Sequence, residues 1–178
     1  MEVQDPEGTL MLSPVGLMKS HRNEAMQNSN LLKLKTTICP YWTNLCLHQC
    51  IDIRTHIQMC GPKKINSFDA FIFVTPEYNH APTGALKNAI DYLYVEWNNK
   101  AAGFVSFGSA GGVRAVEQLR VIMGEIQVAD VRTQVALSLY TDFENFSIFK
   151  PLPNHEAILN TVIDQVIEWG TALKPMRK

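Results

Sequence analysis

The sequence lacks an excess of charge of either sign, because 17 acidic residues nearly balance 16 basic residues in a chain of 178. This balance gives no reason to expect a nucleic acid or an anionic membrane surface as a partner. No apolar run approaches the ~20 residues that a helix needs to cross a bilayer. Residues 1–7 are acidic and lack the basic region and apolar core of a signal peptide. We therefore expect a cytoplasmic protein that binds neither nucleic acid nor a membrane.

Cysteine is absent after residue 60, and all four cysteines lie between residues 39 and 60. A disulfide framework is typical of secreted proteins, so we expect these thiols to be reduced. The same segment contains five potential zinc ligands: Cys46, His48, Cys50, His56 and Cys60. Only Cys46 and Cys50 have the short spacing of paired ligands in structural zinc sites. We expect buried or unreactive thiols here and no metal site.

Regular patterning is scarce in residues 1–68. Residues 9–12 could form a short strand and residues 19–26 could begin a helix, but neither pattern is long enough to be decisive. We expect this segment to be a divergent or poorly ordered part of a single domain that spans residues 1–178.

From residue 69 onward, buried-strand patterns alternate with amphipathic helix patterns. Apolar runs at residues 70–75, 101–107 and 134–139 are spaced about thirty residues apart, which is the size of one βαβ unit. Apolar side chains at helical spacing follow each run, and the last helix is expected after Asn154 as its N-cap. Since parallel strands need crossover helices, this repeat predicts an α/β fold with a doubly wound parallel sheet. Residues 174–178 are expected to form a tail.

The loops after the first two predicted strands both open at the carboxyl edge of the sheet, where ligands bind, so they can form one site if their strands are neighbours. The first loop contains Pro76, Glu77, Tyr78, Asn79 and His80. The second contains Gly108, Gly111 and Gly112 ahead of a helix, so a ligand can approach bare backbone and negative charge is favoured. A flat, electron-accepting ring would fit between such loops.

Each of these residues also has a purely structural interpretation. The glycines could serve only a tight turn, Tyr78 could anchor its loop, and Glu77 could cap a neighbouring helix. His80 could act as an acid or base and Lys87 could contact a phosphate, but a solvated surface position is the simpler explanation of either residue.

The motifs Thr75–Asn79, Gly84–Asp91 and Ser106–Arg120 together resemble the NADPH-dependent FMN reductase family, a flavodoxin-like family that includes quinone, chromate and azo-compound reductases. The resemblance extends over residues 69–173. It implies a flavodoxin-like three-layer α/β/α fold, FMN as cofactor, NADPH or NADH as electron donor, and a quinone or similar small molecule as acceptor. It also implies a homodimer or homotetramer.

The resemblance places nine residues along or beside the isoalloxazine ring of FMN: Pro76, Glu77, Tyr78, Asn79, Ser106, Gly108, Ser109, Gly111 and Gly112. It implies no catalytic side chain, because flavin N5 accepts the hydride while the protein binds and orients the cofactor.

The phosphate-binding loop of the family, of the type Gly-Ser-x-Arg followed by Asn, is not recognisable in this sequence. Met18 stands where the arginine would be, and four residues could form a substitute: Lys19, Ser20, Arg22 and Asn23. Losing one charge-assisted phosphate contact would weaken FMN binding by about 1.5–3 kcal/mol. The alternative to an active reductase is therefore a catalytically silent flavodoxin-like subunit, or a truncated paralogue, with weak or lost FMN binding.

Overall fold

The computed structural model describes residues 34–38 and 62–177 of the chain. Four parallel strands form one sheet in the order β1 (Leu34–Ile38), β2 (Ala70–Pro76), β3 (Lys100–Gly108) and β4 (Val128–Ser138). The strand predicted at residues 9–12, the helix predicted from residue 19 and the cysteine and histidine cluster of residues 39–60 all lie outside the described residues.

Three helices accompany the sheet: α1 (Gly84–Asp91), α2 (Val113–Glu125) and α3 (Asn154–Leu173). Residues 62–66 are also helical, and a 3-10 helix, Lys174–Met176, follows α3. A small antiparallel hairpin of β5 (Phe143–Glu144) and β6 (Ile148–Phe149) lies between β4 and α3. None of the helices in the described ranges combines the length and apolarity that crossing a membrane requires.

The sheet separates two apolar layers, because successive side chains of a strand point to opposite faces. On one face, Phe71 and Phe104 pack with buried side chains of α1 and α2. On the other face, Ile72 and Val105 pack with buried side chains of α3. Every residue of β2 is buried, as expected for a parallel strand with a helix layer on either side. The described elements therefore confirm the predicted three-layer α/β/α fold.

The packing of α3 on the sheet depends on Gly103 in β3. A Cβ atom at this position would lie 2.7 Å from Val162 Cγ1 and 2.8 Å from Val166 Cγ2. Such distances are shorter than any real carbon contact, so only glycine lets the helix approach the strand this closely.

The third predicted strand begins earlier than expected, at Val128 rather than Gln134. The polar residues between these positions resemble a loop, but β4 is an edge strand of the described sheet and can expose them. The register of β3 against β4 shifts there, from Ala102 opposite Asp130 to Phe104 opposite Gln134, so a bulge absorbs the extra residues. Asp130 forms an ion pair with Arg120 of α2, which explains why a charged residue is tolerated within the strand.

Two predictions for the last part of the chain were wrong. Helix α3 begins at Asn154 itself, because Pro153, with φ −58° and ψ −26°, is already close to helical geometry and serves as the N-cap. Residues 174–177 are not a free tail. Lys174 Nζ lies 3.0 Å from Asp69 Oδ2, and Arg177 pairs with the other oxygen of the same, largely buried carboxylate. A buried carboxylate needs such partners, so the chain end docks beside the start of β2.

Candidate functional site

The loops after β2 and β3 lie side by side at the carboxyl edge of the sheet. The two strands are hydrogen-bonded neighbours, with Pro76 opposite Phe107 at their ends. The pairing continues into the first loop, because Glu77 N donates to Phe107 O at 2.9 Å. The adjacency expected of these loops is therefore present in the structure.

A tight turn closed by two backbone hydrogen bonds forms the tip of the first loop. Tyr78 N donates to Ala81 O at 2.9 Å, and Ala81 N donates to Tyr78 O at 3.0 Å. The two central residues, Asn79 and His80, have φ values of 50° and 67°, which is the backbone of a type I′ turn. Asparagine adopts this left-handed conformation at low cost. The turn therefore presents Tyr78 and Asn79 on a stiff support.

Thr83 continues the loop into α1 and was not singled out from the sequence. Its hydroxyl Oγ1 accepts a hydrogen bond from Leu86 N at 3.2 Å, so Thr83 is the N-cap of α1. A threonine three residues before the first apolar residue of a helical pattern is a usual helix start signal.

The carboxylate of Glu77 joins the two loops. It is only 6% exposed, and its Oε2 accepts a hydrogen bond of 3.1 Å from Arg114 N in the first turn of α2. Its Oε1 lies 2.7 Å from Arg114 Nε, although the N–H does not point at this oxygen. The N-cap position of α2 is Gly112, which has no side chain to cap the helix. Glu77 supplies the missing acceptor from the loop after β2, so its side chain caps the neighbouring helix, as one of the two interpretations of the sequence expected.

Arg114 extends this contact to the tip of the first loop. Its Nη1 lies 2.5 Å from His80 Nε2. Because a guanidinium can only donate, a hydrogen bond between these atoms uses His80 Nε2 as the acceptor. His80 thus has a structural partner, and Arg114 is a site residue that the sequence reasoning missed. We call Glu77, His80 and Arg114 the charge clamp.

The glycine loop after β3 is shaped by the protein itself. Gly111 and Gly112 have φ values of 72° and 73°, and a Cβ at Gly112 would lie 2.7 Å from Phe107 N. The buried Ser106 hydroxyl donates to Gly111 O at 2.7 Å, and Gly111 N donates to Gly108 O at 3.1 Å. The tight-turn interpretation therefore accounts for both left-handed glycines, and Ser106 points into its own loop.

Eight of the nine sequence-predicted site residues fall into two groups. Tyr78, Asn79 and Ser109 are exposed at the edge of the sheet, whereas five others are buried and hold the two loops in shape: Pro76, Ser106, Gly108, Gly111 and Gly112. Glu77 joins the loops as described above. Partial burial raises the pKa of the Tyr78 phenol above its ordinary value. Lys87 lies 2.5 Å from Asp91 on the surface of α1 and has this carboxylate as its partner.

A third segment, between β4 and α3, borders the glycine loop. Leu139 N donates to Gly108 O at 3.0 Å. The segment is held by Asp142, which is 1% exposed and accepts hydrogen bonds from Ser138 N at 2.8 Å and Leu152 N at 3.0 Å. His155 Nε2 lies 2.9 Å from the same carboxylate. Burial by itself would raise the pKa of Asp142, but the two backbone hydrogen bonds, a bond from the Thr141 hydroxyl and the nearby His155 together lower it.

The chemistry of these loops fits the ring of a flavin. Arg114 neutralises the buried carboxylate of Glu77. The charge clamp would therefore present no unpaired buried charge to an uncharged planar ring bound at this edge. The residues that could hold the phosphate, Lys19, Ser20, Arg22 and Asn23, lie outside the described residues. Within the described ranges, no three histidine, cysteine, aspartate or glutamate side chains are grouped as a metal site would need.

Comparison with known proteins identifies the family of the chain. The model of the family described as NADPH-dependent FMN reductase matches residues 28–142. The chain is 35% identical to an NAD(P)H-dependent FMN reductase of Schizosaccharomyces pombe over 130 residues, which are 72% of this chain and 58% of the relative. It is 48% identical to an NAD(P)H:quinone oxidoreductase of Solanum tuberosum over 64 residues, which are 34% of this chain and 33% of the relative. The chain thus spans less than two thirds of the length of these curated relatives.

A solved structure shares the fold. The flavoenzyme NAD(P)H:(acceptor) oxidoreductase FerB from Paracoccus denitrificans superposes with a TM-score of 0.52 at 18% identity, over 75% of each chain. At this level of identity the similarity concerns the fold alone.

Proposed function

The chain belongs to the NADPH-dependent FMN reductase family, and we propose that it binds FMN and passes electrons from NADPH or NADH to a quinone or similar small acceptor. The observation that carries this proposal is the pair of loops after β2 and β3, which are joined by Glu77 and Arg114 at the ligand edge of a parallel sheet. When bound, FMN supplies the redox chemistry, by accepting a hydride and releasing electrons to the acceptor.

The described residues would act on FMN by binding and orientation. Tyr78, Asn79 and Ser109 are the exposed side chains that would line the ring, and the type I′ turn holds the first two in place. One amide of the first turn of α2, Arg114 N, already binds the Glu77 carboxylate, and the positive end of the helix dipole at this edge would favour the negative charge of a reduced ring. Because Glu77 is neutralised by Arg114, its carboxylate would not oppose that charge.

The absorption spectrum of the purified chain tests this proposal. We expect visible flavin bands after incubation with FMN, and we expect NADPH to bleach them in the absence of oxygen. A protein that stays colourless in millimolar FMN would contradict the proposal and favour the alternative of a catalytically silent flavodoxin-like subunit.

A matched pair of variants locates the ring. Tyr78→Ala removes an exposed tyrosine of the candidate site and is expected to weaken FMN binding about tenfold, since ring contacts are worth about 0.5–1.5 kcal/mol beyond the area they bury. Tyr94→Ala removes a comparably exposed tyrosine from the turn between α1 and β3 and is expected to leave FMN affinity unchanged. Equal FMN affinity of the two variants would place the ring elsewhere.

We also propose that the chain forms a homodimer or homotetramer and acts in the cytoplasm, as expected from the sequence and its resemblance. Light scattering on the purified chain measures the number of subunits, and imaging of a tagged chain in cells reports its location. A monomer, or a chain found in another compartment, would contradict the respective proposal.

A further inference from the structure

Two exposed aromatic side chains lie in the segment between β4 and α3. Tyr140 is 68% exposed and Phe146 is 64% exposed. Their ring centroids are 5.7 Å apart and their planes meet at 84°, which is an edge-to-face pair. The exposed Ile148 and Leu152 belong to the same segment. An exposed pair of packed aromatic rings is the kind of apolar surface that often marks a binding site.

The backbone at Phe146 is unusual for an aromatic residue. Ser147 N donates to Glu144 O at 3.2 Å, and the two residues between them, Asn145 and Phe146, have φ values of 51° and 57°. A left-handed conformation is common for asparagine but rare for a bulky side chain such as phenylalanine. An exposed aromatic side chain on a strained backbone has no evident folding advantage, and such strain is often found at binding sites.

The segment is firmly attached beside the candidate site. Asp142 accepts backbone hydrogen bonds from Ser138 and Leu152, so one buried carboxylate closes the whole loop. The start of the loop bonds to the glycine loop, through Leu139 N to Gly108 O and, more weakly, through Ser138 Oγ to Ser109 O at 3.5 Å. The aromatic pair is therefore held next to the glycine loop that borders the candidate ring site.

We propose that Tyr140 and Phe146 form a stacking subsite for planar, uncharged aromatic electron acceptors at the edge of the flavin site; this inference rests on the proposed function. The two rings offer apolar faces and edges, and the pair carries no formal charge. A flat aromatic acceptor would bury this surface on binding, whereas a compact anion such as ferricyanide has no ring to stack.

The test compares Phe146→Asn with the control Ile148→Thr. Asparagine tolerates the left-handed backbone and removes the ring, while threonine removes apolar surface from the same hairpin and keeps a β-branched side chain. Equilibrium dialysis measures 1,4-naphthoquinone binding to the oxidised, FMN-loaded chain without electron donor. We expect Phe146→Asn to weaken this binding about tenfold and Ile148→Thr to leave it within about twofold. The ratio of KM for naphthoquinone to KM for ferricyanide should rise by a similar factor only in Phe146→Asn.

The outcomes separate the subsite from the proposed reductase function. Equal naphthoquinone affinity in both variants would overturn the subsite even if NADPH still reduces ferricyanide. A chain that binds no FMN would refute the reductase function, and dialysis of the FMN-free chain would then still measure whether Phe146 binds the quinone. A change in the number of subunits in Phe146→Asn, measured by light scattering, would also overturn the subsite, because a second copy would then cover the pair.

Discussion

Replacing Glu77 by glutamine tests whether the charge clamp holds the candidate site together. Glutamine keeps an oxygen that can accept from Arg114 N, but it loses the charge that faces the guanidinium. A hydrogen bond to a charged group contributes about 1.5–3 kcal/mol, so we expect Glu77→Gln to lower the free energy of unfolding by about 1–2 kcal/mol. Glu77→Ala also removes the cap of α2 and is expected to lower it by about 3 kcal/mol.

Glu117→Gln is the matched control for this change. Glu117 also lies on α2 and approaches an arginine, but it is 69% exposed and its Oε1 is 3.9 Å from Arg120 Nε. Exposed ion pairs contribute about 0–1 kcal/mol, so this variant should change stability by less than about 0.5 kcal/mol. Urea denaturation of both variants measures the difference. The reasoning is refuted if Glu77→Gln is no more destabilising than Glu117→Gln.

A double-mutant cycle separates the two contacts of Glu77. Arg114→Met removes the guanidinium but keeps the backbone N–H that Glu77 caps. The coupling energy between Glu77→Gln and Arg114→Met therefore reports only the contact between the two side chains, and we expect about 1 kcal/mol because the arginine is partly exposed. Since the clamp fixes the Tyr78 turn beside the glycine loop, FMN affinity should also fall about fivefold in Glu77→Gln.

Three further predictions concern other buried groups. Burial lowers the pKa of Lys100 to about 8 from 10.5, so the folded chain loses this proton at a lower pH than the unfolded chain does. The free energy of unfolding should therefore rise between pH 8 and 10.5, by about 1–2 kcal/mol after allowance for solvent screening. Urea denaturation measures this rise, and Lys100→Met should abolish it. Gly103→Ala should lower the free energy of unfolding by about 1–3 kcal/mol, because its Cβ would collide with Val162; an unchanged urea midpoint would contradict this. The lowered pKa of Asp142 means that its contribution is lost as pH falls through that pKa, so Asp142→Asn should be destabilised at pH 7 and show a shallower acid unfolding curve.

Much of the fold could be predicted because strand and helix patterns are local. The apolar runs at residues 70–75 and 101–107 correspond closely to β2 and β3, since strands buried on both faces need apolar residues at nearly every position. The start of β4 was missed because its polar residues resemble a loop. Only the partner across the sheet shows that a bulge and the ion pair with Arg120 accommodate them.

The candidate site was predicted as a location rather than as a set of contacts. The sequence indicated that the loops after β2 and β3 open at the same edge of the sheet and would share one crevice if their strands were neighbours, which the structure shows them to be. It left open whether Glu77 would line a ring or cap a helix. Its partner, Arg114, is 37 residues away along the chain.

By itself, the sequence determined the parallel α/β architecture, the position of the ligand edge and the resemblance to FMN reductases. The tertiary structure decided which residues hold that edge and which are exposed on it: Ser106 and Gly112 shape a turn, while Tyr78 and Asn79 face outward. The physical reason is that strand and helix propensities act over a few residues, whereas buried charges take whichever partner the fold brings near. Asp69 does so with Arg177, 108 residues away.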